Sequence, residues 1–190
     1  RDPQHINPKA PSRGELVTHY LENDFHGLSY LNAIEAKAKE YNGFNLIVGN
    51  GDELWYLSNY KKGIEKLKPG LYGLSNHLLE TPWPKVSRGK ERLVPVLNEK
   101  KINVENIFEV LYDSQQARDE NLPDTGIGLE RERMLSSMFI KSPNYGSRCS
   151  TVVLIDHQNN IQLSERVYDL SSFEYTTRDF NFQVEKEAVK

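Results

Sequence analysis

Cysteine is nearly missing from this sequence. Cys149 stands alone, so no internal disulfide can form, and no Asn-x-Ser/Thr glycosylation acceptor occurs. Both absences fit a reducing, cytoplasmic setting. Long apolar runs are missing too: no stretch approaches the roughly 18 to 20 residues that a transmembrane helix needs. The opening "RDPQHINPKAP" has no signal-peptide apolar region, so membrane insertion is not expected. Neither charge sign is in excess, since 24 Lys and Arg against 27 Asp and Glu leave a formal charge of −3. With both signs interspersed there is no electrostatic footprint for nucleic acid. There is no Walker A sequence, and "VGNGDE" and "GIGLER" each lack the third glycine of a dinucleotide fingerprint. The five histidines, His5, His19, His26, His77 and His157, show neither His-Glu-x-x-His spacing nor a companion cysteine pair, so no metal site is expected.

What remains describes a soluble, folding chain. Of its 190 residues 37% are apolar and ten are tyrosines, enough for one domain spanning 1–190 with a proper core. Residues 1–11 read as a Pro-rich extended lead-in and 185–190 as a charged tail. "SRGELVTHYLEN" reads as a helix with Ser12 and Glu15 as a capping box and Leu16, Val17, Tyr20 and Leu21 on one apolar face. A second helix, "LSYLNAIEAKAKEYN", buries Tyr30, Leu31, Ile34, Ala38 and Tyr41 and stops at Asn42-Gly43. The period then changes. Phe44–Val48 and Leu54–Ser58 predict a hairpin around Asn50-Gly51, and "GLYGLSN" predicts a third, antiparallel strand. Further on, "KVSRGKERLVPVLNEK" predicts a helix kinked or shortened by Pro95, "VENIFEVLYD" another, and Ser114–Ile127 a long loop. "SRCSTVVLID" and "IQLSERVYD" form a second hairpin whose run Val152–Ile155 suggests burial on both faces, and "EYTTRDFNFQV" adds an edge strand. The order of elements predicts an α+β fold with antiparallel sheets.

Two stretches carry polar groups suited to a site. In "PGLYGLSNHLLETPWPK", an Asn at a strand end can aim its amide N–H at a developing oxyanion, with Pro82, Trp83 and Pro84 stiffening the wall. A turn-forming Asn76 and a core-packed Trp83 explain the same residues. His77 is the candidate for an axial haem ligand, set against an ordinary satisfied histidine. In "KSPNYGSRCS", the turn bracketed by Pro143 and Gly146 delivers Asn144, Tyr145, Ser147 and Arg148 to the mouth of a strand. A guanidinium there can take a carboxylate, or Arg148 can pair with a structural acid. Cys149, within the strand pattern, reads as a buried inert thiol.

"SRGELV", "YNGFNLIVG", "PGLYGLSNHLLETPWPKV" and "ERERMLSSMFIKSPNYGSRCSTVVLID" together resemble the NRDE protein family, also called the transport and Golgi organisation protein 2 family, from about Ser12 to Arg166. The resemblance implies an Ntn-hydrolase-like αββα sandwich: two antiparallel sheets between helical layers, here expected to lack its first strands. It also implies that the segment bearing an N-terminal Cys nucleophile and the Asn-Arg-Asp-Glu motif lies upstream of Arg1. Without that cysteine these 190 residues cannot by themselves carry out N-terminal-nucleophile chemistry. A more distant similarity to choloylglycine hydrolases and penicillin V acylases implies supporting catalytic roles for Asn76, at the oxyanion, and Arg148. His77, Trp83, Asn144, Tyr145 and Ser147 are the corresponding ligand-binding candidates. Two functions follow as expectations. One is hydrolysis of a linear C–N amide of a small apolar acyl compound; the other is carriage of haem or another hydrophobic metabolite. No bound cofactor is expected beyond haem as a possible ligand.

Overall fold

Helix-forming periodicity ends and strand periodicity begins twice along this chain, and the computed structural model divides accordingly into two compact units, Arg1–Thr81 and Pro82–Lys190. The structure describes residues 6–50, 52–143 and 145–184. Gly51, Asn144, the first five residues of the lead-in and the tail 185–190 lie outside them.

The first unit opens with α1 (Gly14–Leu21) and α2 (Gly27–Lys37), the latter running into a 3-10 turn at Ala38–Glu40. The expected capping box does not form. Arg13 holds the N-cap position, and Ser12 Oγ accepts from the Gly14 N–H at 3.2 Å rather than from Glu15. Of the expected α1 face only Leu16 is buried, while Val17 and Leu21 are exposed. The helix is short and meets the core along one line. The face of α2 is as its spacing predicts, with Tyr30, Leu31, Ile34 and Ala38 buried. Its end is held by Asn59, whose amide donates to the carbonyls of Ala38 and Tyr41 at 3.1 and 3.3 Å while its Oδ1 accepts from Phe44 N–H at 2.8 Å. One side chain thus satisfies carbonyls that a helix C-terminus leaves without partners.

Three strands, β1 (Asn45–Gly49), β2 (Leu54–Ser58) and β3 (Glu65–Leu67), pair antiparallel in that order. Leu46, Val48 and Leu57 face the helices and form one core with Leu16, Leu31 and Ile34. Gly49 is required by close approach, because a Cβ there would sit 1.9 Å from the Glu53 carbonyl oxygen across the turn. The third strand differs from the expectation. Residues 70–76 hold no strand, and Glu65–Leu67 pairs with β2 instead. A short return after Ser58 takes the sheet edge, and the later segment closes on itself, Gly73 and Glu80 exchanging hydrogen bonds of 2.5 and 2.9 Å.

The second unit contains α3 (Pro84–Leu97), α4 (Val104–Leu111), a 3-10 turn at Asp119–Asn121, and α5 (Leu129–Leu135). Pro84 stands at the first helical position, where its missing N–H costs nothing, and Pro95 leaves the helix only two residues more. Asn103 caps α4 by accepting from Glu105 N–H at 3.0 Å. After the two-residue ladder of β4 (Lys141–Ser142) and β5 (Tyr145–Gly146), β6 (Cys149–Ile155), β7 (Asn160–Tyr168) and β8 (Tyr175–Gln183) form an antiparallel sheet in chain order. α3 and α4 cover one of its faces, with Val96, Ile107, Phe108, Val110 and Val152 as the core. The expectation of two-faced burial is corrected here: Val152 is buried, but Val153 and Ile155 are exposed. Strand alternation sends them to the face opposite α4. The same alternation exposes Cys149, which is therefore not a buried thiol.

Two buried charges organise this unit. Arg166, 6% exposed, places its guanidinium between the rings of Phe108 and Tyr175, 4.1 and 4.3 Å from their centroids, and pairs with Glu105. Its Nε has no partner. Replacing a buried ion by an apolar chain of similar volume is often neutral, whereas removing the stem leaves a hole. Arg166→Met is expected to hold stability within about 1 kcal/mol of the parent, and Arg166→Ala to lose about 2 to 4 kcal/mol; urea unfolding of both variants checks the contrast.

Asp113, with a side chain only 6% exposed, pairs with Arg88 and Arg92 and accepts from Gln115 N–H at 2.9 Å. Burial pushes its pKa up, but the Gln115 N–H and the two guanidiniums outweigh burial and hold the carboxyl below its ordinary range. A depressed folded pKa contributes stability that is present above the unfolded value, about 3.9, and lost as pH falls through the folded one. Asp113→Asn should therefore lower the urea midpoint at pH 7 and flatten the loss of stability below about pH 4, as followed by circular dichroism across a pH series.

Candidate functional site

Tyr56 is fully buried at 0% exposure on β2, so its hydroxyl must find partners inside the protein. It donates to Asn45 Oδ1 at 2.7 Å and accepts from Leu79 N–H at 3.1 Å. The Asn45 amide in turn donates to the His77 carbonyl at 2.9 Å. These three bonds moor the loop after Ser75 to the sheet and leave Asn76 exposed at its edge. His77 Nδ1 lies 2.7 Å from Thr81 Oγ1, which donates to the Leu78 carbonyl.

Beside the moored loop lies a groove of about 620 Å³. Asn76, Ser75 and Asn45 give it a polar side, and Leu16, Phe44 and Leu74 an apolar one. Arg13 is the only charged residue among its lining residues. Its NH1 donates to the Gly43 carbonyl at 3.0 Å, which fixes the guanidinium at the rim with further N–H groups to spare. A Cβ at Gly43 would fall 1.8 Å from the Tyr60 hydroxyl, so a side chain there requires the exposed Tyr60 ring to move. Arg13, Gly43 and Tyr60 also line a neighbouring cavity of about 580 Å³ near Asn42 and Asn59.

The other sequence candidates belong to the second unit. Trp83 stands at the N-cap of α3, partly buried, its carbonyl accepting from Val86 and Ser87 N–H at 2.8 and 3.0 Å. Ser147 holds the β4–β5 ladder shut: its Oγ accepts from Ile140 N–H at 3.0 Å and its N–H donates to the Ile140 carbonyl at 2.9 Å. Tyr145 and Arg148 are exposed beside it, and the Arg148 guanidinium has no hydrogen bond or ion pair among the described residues. Asn144 lies outside the described residues. Among the described residues no group of three or more His, Cys, Asp or Glu could hold a metal ion, and no helix is long and apolar enough to cross a membrane.

Reading from sequence overlooked Arg13 and Asn45. Both lie inside quoted motifs, "SRGELV" and "YNGFNLIVG", where they pass for a helix-start residue and a strand-end residue. The signal that could have found Arg13 is a cation just ahead of a helix that has no acidic partner at helical spacing.

These features define the class: an α+β chain of small antiparallel sheets backed by helices, with an open groove of mixed polarity beside its first sheet. The comparisons with known proteins are specific. The profile of the family described as Transport and Golgi organisation 2 matches residues 1–170. The "Transport and Golgi organization protein 2 homolog" of Homo sapiens is 36% identical over 193 residues, covering 92% of this chain and 70% of that protein. The Mus musculus protein "Transport and Golgi organization 2 homolog" is 32% identical, with 93% and 70% covered, and the Drosophila melanogaster "Transport and Golgi organization protein 2" is 27% identical over 82% of this chain and 61% of its own length. The chain belongs to the Transport and Golgi organisation 2 family.

Removing the buried hydroxyl tests the mooring. Tyr56→Phe leaves Leu79 N–H and Asn45 Oδ1 unpaired, an expected cost of about 1 to 3 kcal/mol. Hydrogen exchange at the Leu79 amide should accelerate more than at amides of β1.

Proposed function

We propose that the groove at Asn76 binds a small apolar compound through an acyl or carboxylate group, on an Ntn-hydrolase-like scaffold. The observation that carries this reading is the groove's composition: one guanidinium, two side-chain amides and a row of apolar residues around about 620 Å³. That volume suits a small ligand, and Arg13 suits an acid or carbonyl oxygen at one end of it. Each unit by itself supplies helices and a three-stranded antiparallel sheet, the ingredients of the αββα sandwich that the family resemblance implies.

The reaction proposed for the intact protein is hydrolysis of a linear C–N amide. The amide of Asn76 is the group offered to the oxygen that gains charge as the carbonyl is attacked. Arg148, exposed and without an ion pair among the described residues of the second unit, is proposed separately as a carboxylate-binding residue. The nucleophile proposed for that reaction is the N-terminal cysteine that the family resemblance implies, and residues 1–190 supply the groups proposed to bind. Carriage of haem is the other use of the same groove.

Calorimetric titration with short N-acyl amino acids and fatty acyl amides tests binding. Saturable binding by the parent is expected, weakened at least tenfold in Arg13→Ala and about threefold in Asn76→Ala; no saturable binding, or binding indifferent to both changes, sinks the reading. Incubating the intact protein with the same amides before and after thiol alkylation tests chemistry. Absence of turnover in both rules out hydrolysis and leaves carriage, for which a saturable Soret shift on haem titration is the required sign.

A further inference from the structure

The second unit carries a cavity that the groove reading does not use. It measures about 330 Å³ and lies between the start of α3 and the loop at 115–121. Lys85, Arg88 and Arg118 line it, with Ser87, Gln115 and Gln116 among the uncharged polar residues, and Glu91 is the only carboxylate on its wall among the described residues. Such a wall sets three cations against one carboxylate.

Lys85 is the telling member. Its Nζ donates to the Leu135 carbonyl at 2.6 Å, the last residue of α5, where the helix leaves its carbonyls unsatisfied and favours a cation. An ammonium has three N–H donors, and this one has a single acceptor among the described residues. Burial pushes its pKa down, and Glu132 only partly restores it. The lysine is thus held partly out of water with no ion pair among the described residues. The two neighbouring arginines are anchored differently. Arg88 spends its Nε on Asp113 at 2.5 Å. Arg118, with its side chain 84% exposed, lies 3.7 Å from Glu120, itself 70% exposed.

The geometry points to an oxyanion site: we propose that this cavity takes the phosphate or carboxylate group of a small metabolite, with Lys85 as its fixed contact and Arg88 and Arg118 as its flanking ones. A bound anion would occupy the two unused Lys85 donors and supply the missing counter-charge. The inference is independent of the groove at Asn76, which lies in the other unit.

The probes are inorganic phosphate and malonate, titrated separately by calorimetry and by protection of Lys85 from acetic anhydride, read by peptide mass spectrometry. Saturable binding of one probe is expected, with Lys85 acylation slowed at least fivefold at saturation and other lysines unaffected. Whichever probe binds assigns the group as phosphate or carboxylate. Lys85→Met should weaken binding at least tenfold and Arg118→Ala about threefold. Because Lys85 also caps α5, Arg118→Ala and the acylation footprint on the parent decide the matter if Lys85→Met unfolds. Non-saturating titrations with both probes, or no protection of Lys85, overturn the proposal.

Discussion

The first unit depends on a single requirement: a tyrosine hydroxyl buried to 0% exposure cannot be left without partners. Tyr56 meets it by reaching Asn45 on the adjacent strand and Leu79 on the following loop. The loop that borders the groove follows. Asn45 is turned so that its amide meets the His77 carbonyl, the loop is tied down at His77 and at Leu79, and Asn76 is left standing at the lip. One side of the candidate site is therefore set by satisfying a core residue, and the loop needs no regular secondary structure to hold its shape.

Much of the fold was legible from periodicity. α2 with its 3-10 extension buries Tyr30, Leu31, Ile34 and Ala38 of the five residues its spacing nominates, Tyr41 being partly buried beyond it, α4 is the amphipathic helix expected, and β1, β2, β6 and β7 fall within a residue or two of their apolar alternation. The misreadings have local causes. "GLYGLSN" alternates as a strand should, but the sheet edge is already taken by Glu65–Leu67, three residues with hardly an apolar signal. Pairing there is decided by the shortness of the connection after Ser58. "LERERML" has little periodic signal, and the end of α5 is met by Lys85, a partner outside that segment. Val153 and Ile155 read as two-faced burial because a run of apolar residues cannot say whether both faces are covered.

The candidate sites were legible in proportion to how far they sit on local motifs. Asn76 announced itself through the stiff stretch around it, and Arg148 through its tight turn. Arg13 did not, because what matters about it is the company it keeps after folding: a carbonyl 30 residues away in sequence holds it at the groove. Lys85 likewise looked like one more charge in a charged helix. Its burial depends on Leu135, 50 residues on, and no window of sequence contains both.

Strand β8 differs from the rest of its sheet in a way that bears on motion. All its residues from Tyr175 to Gln183 are exposed, so its attachment rests on the ladder to β7, on the Ser164 hydroxyl donating to Asp179, and on Tyr175 set against Arg166 and Tyr168. Elements with few buried apolar contacts open at lower free energy than the core that supports them. By that measure β8 is expected to open at lower free energy than β6, whose Val152 is part of the core built with α4.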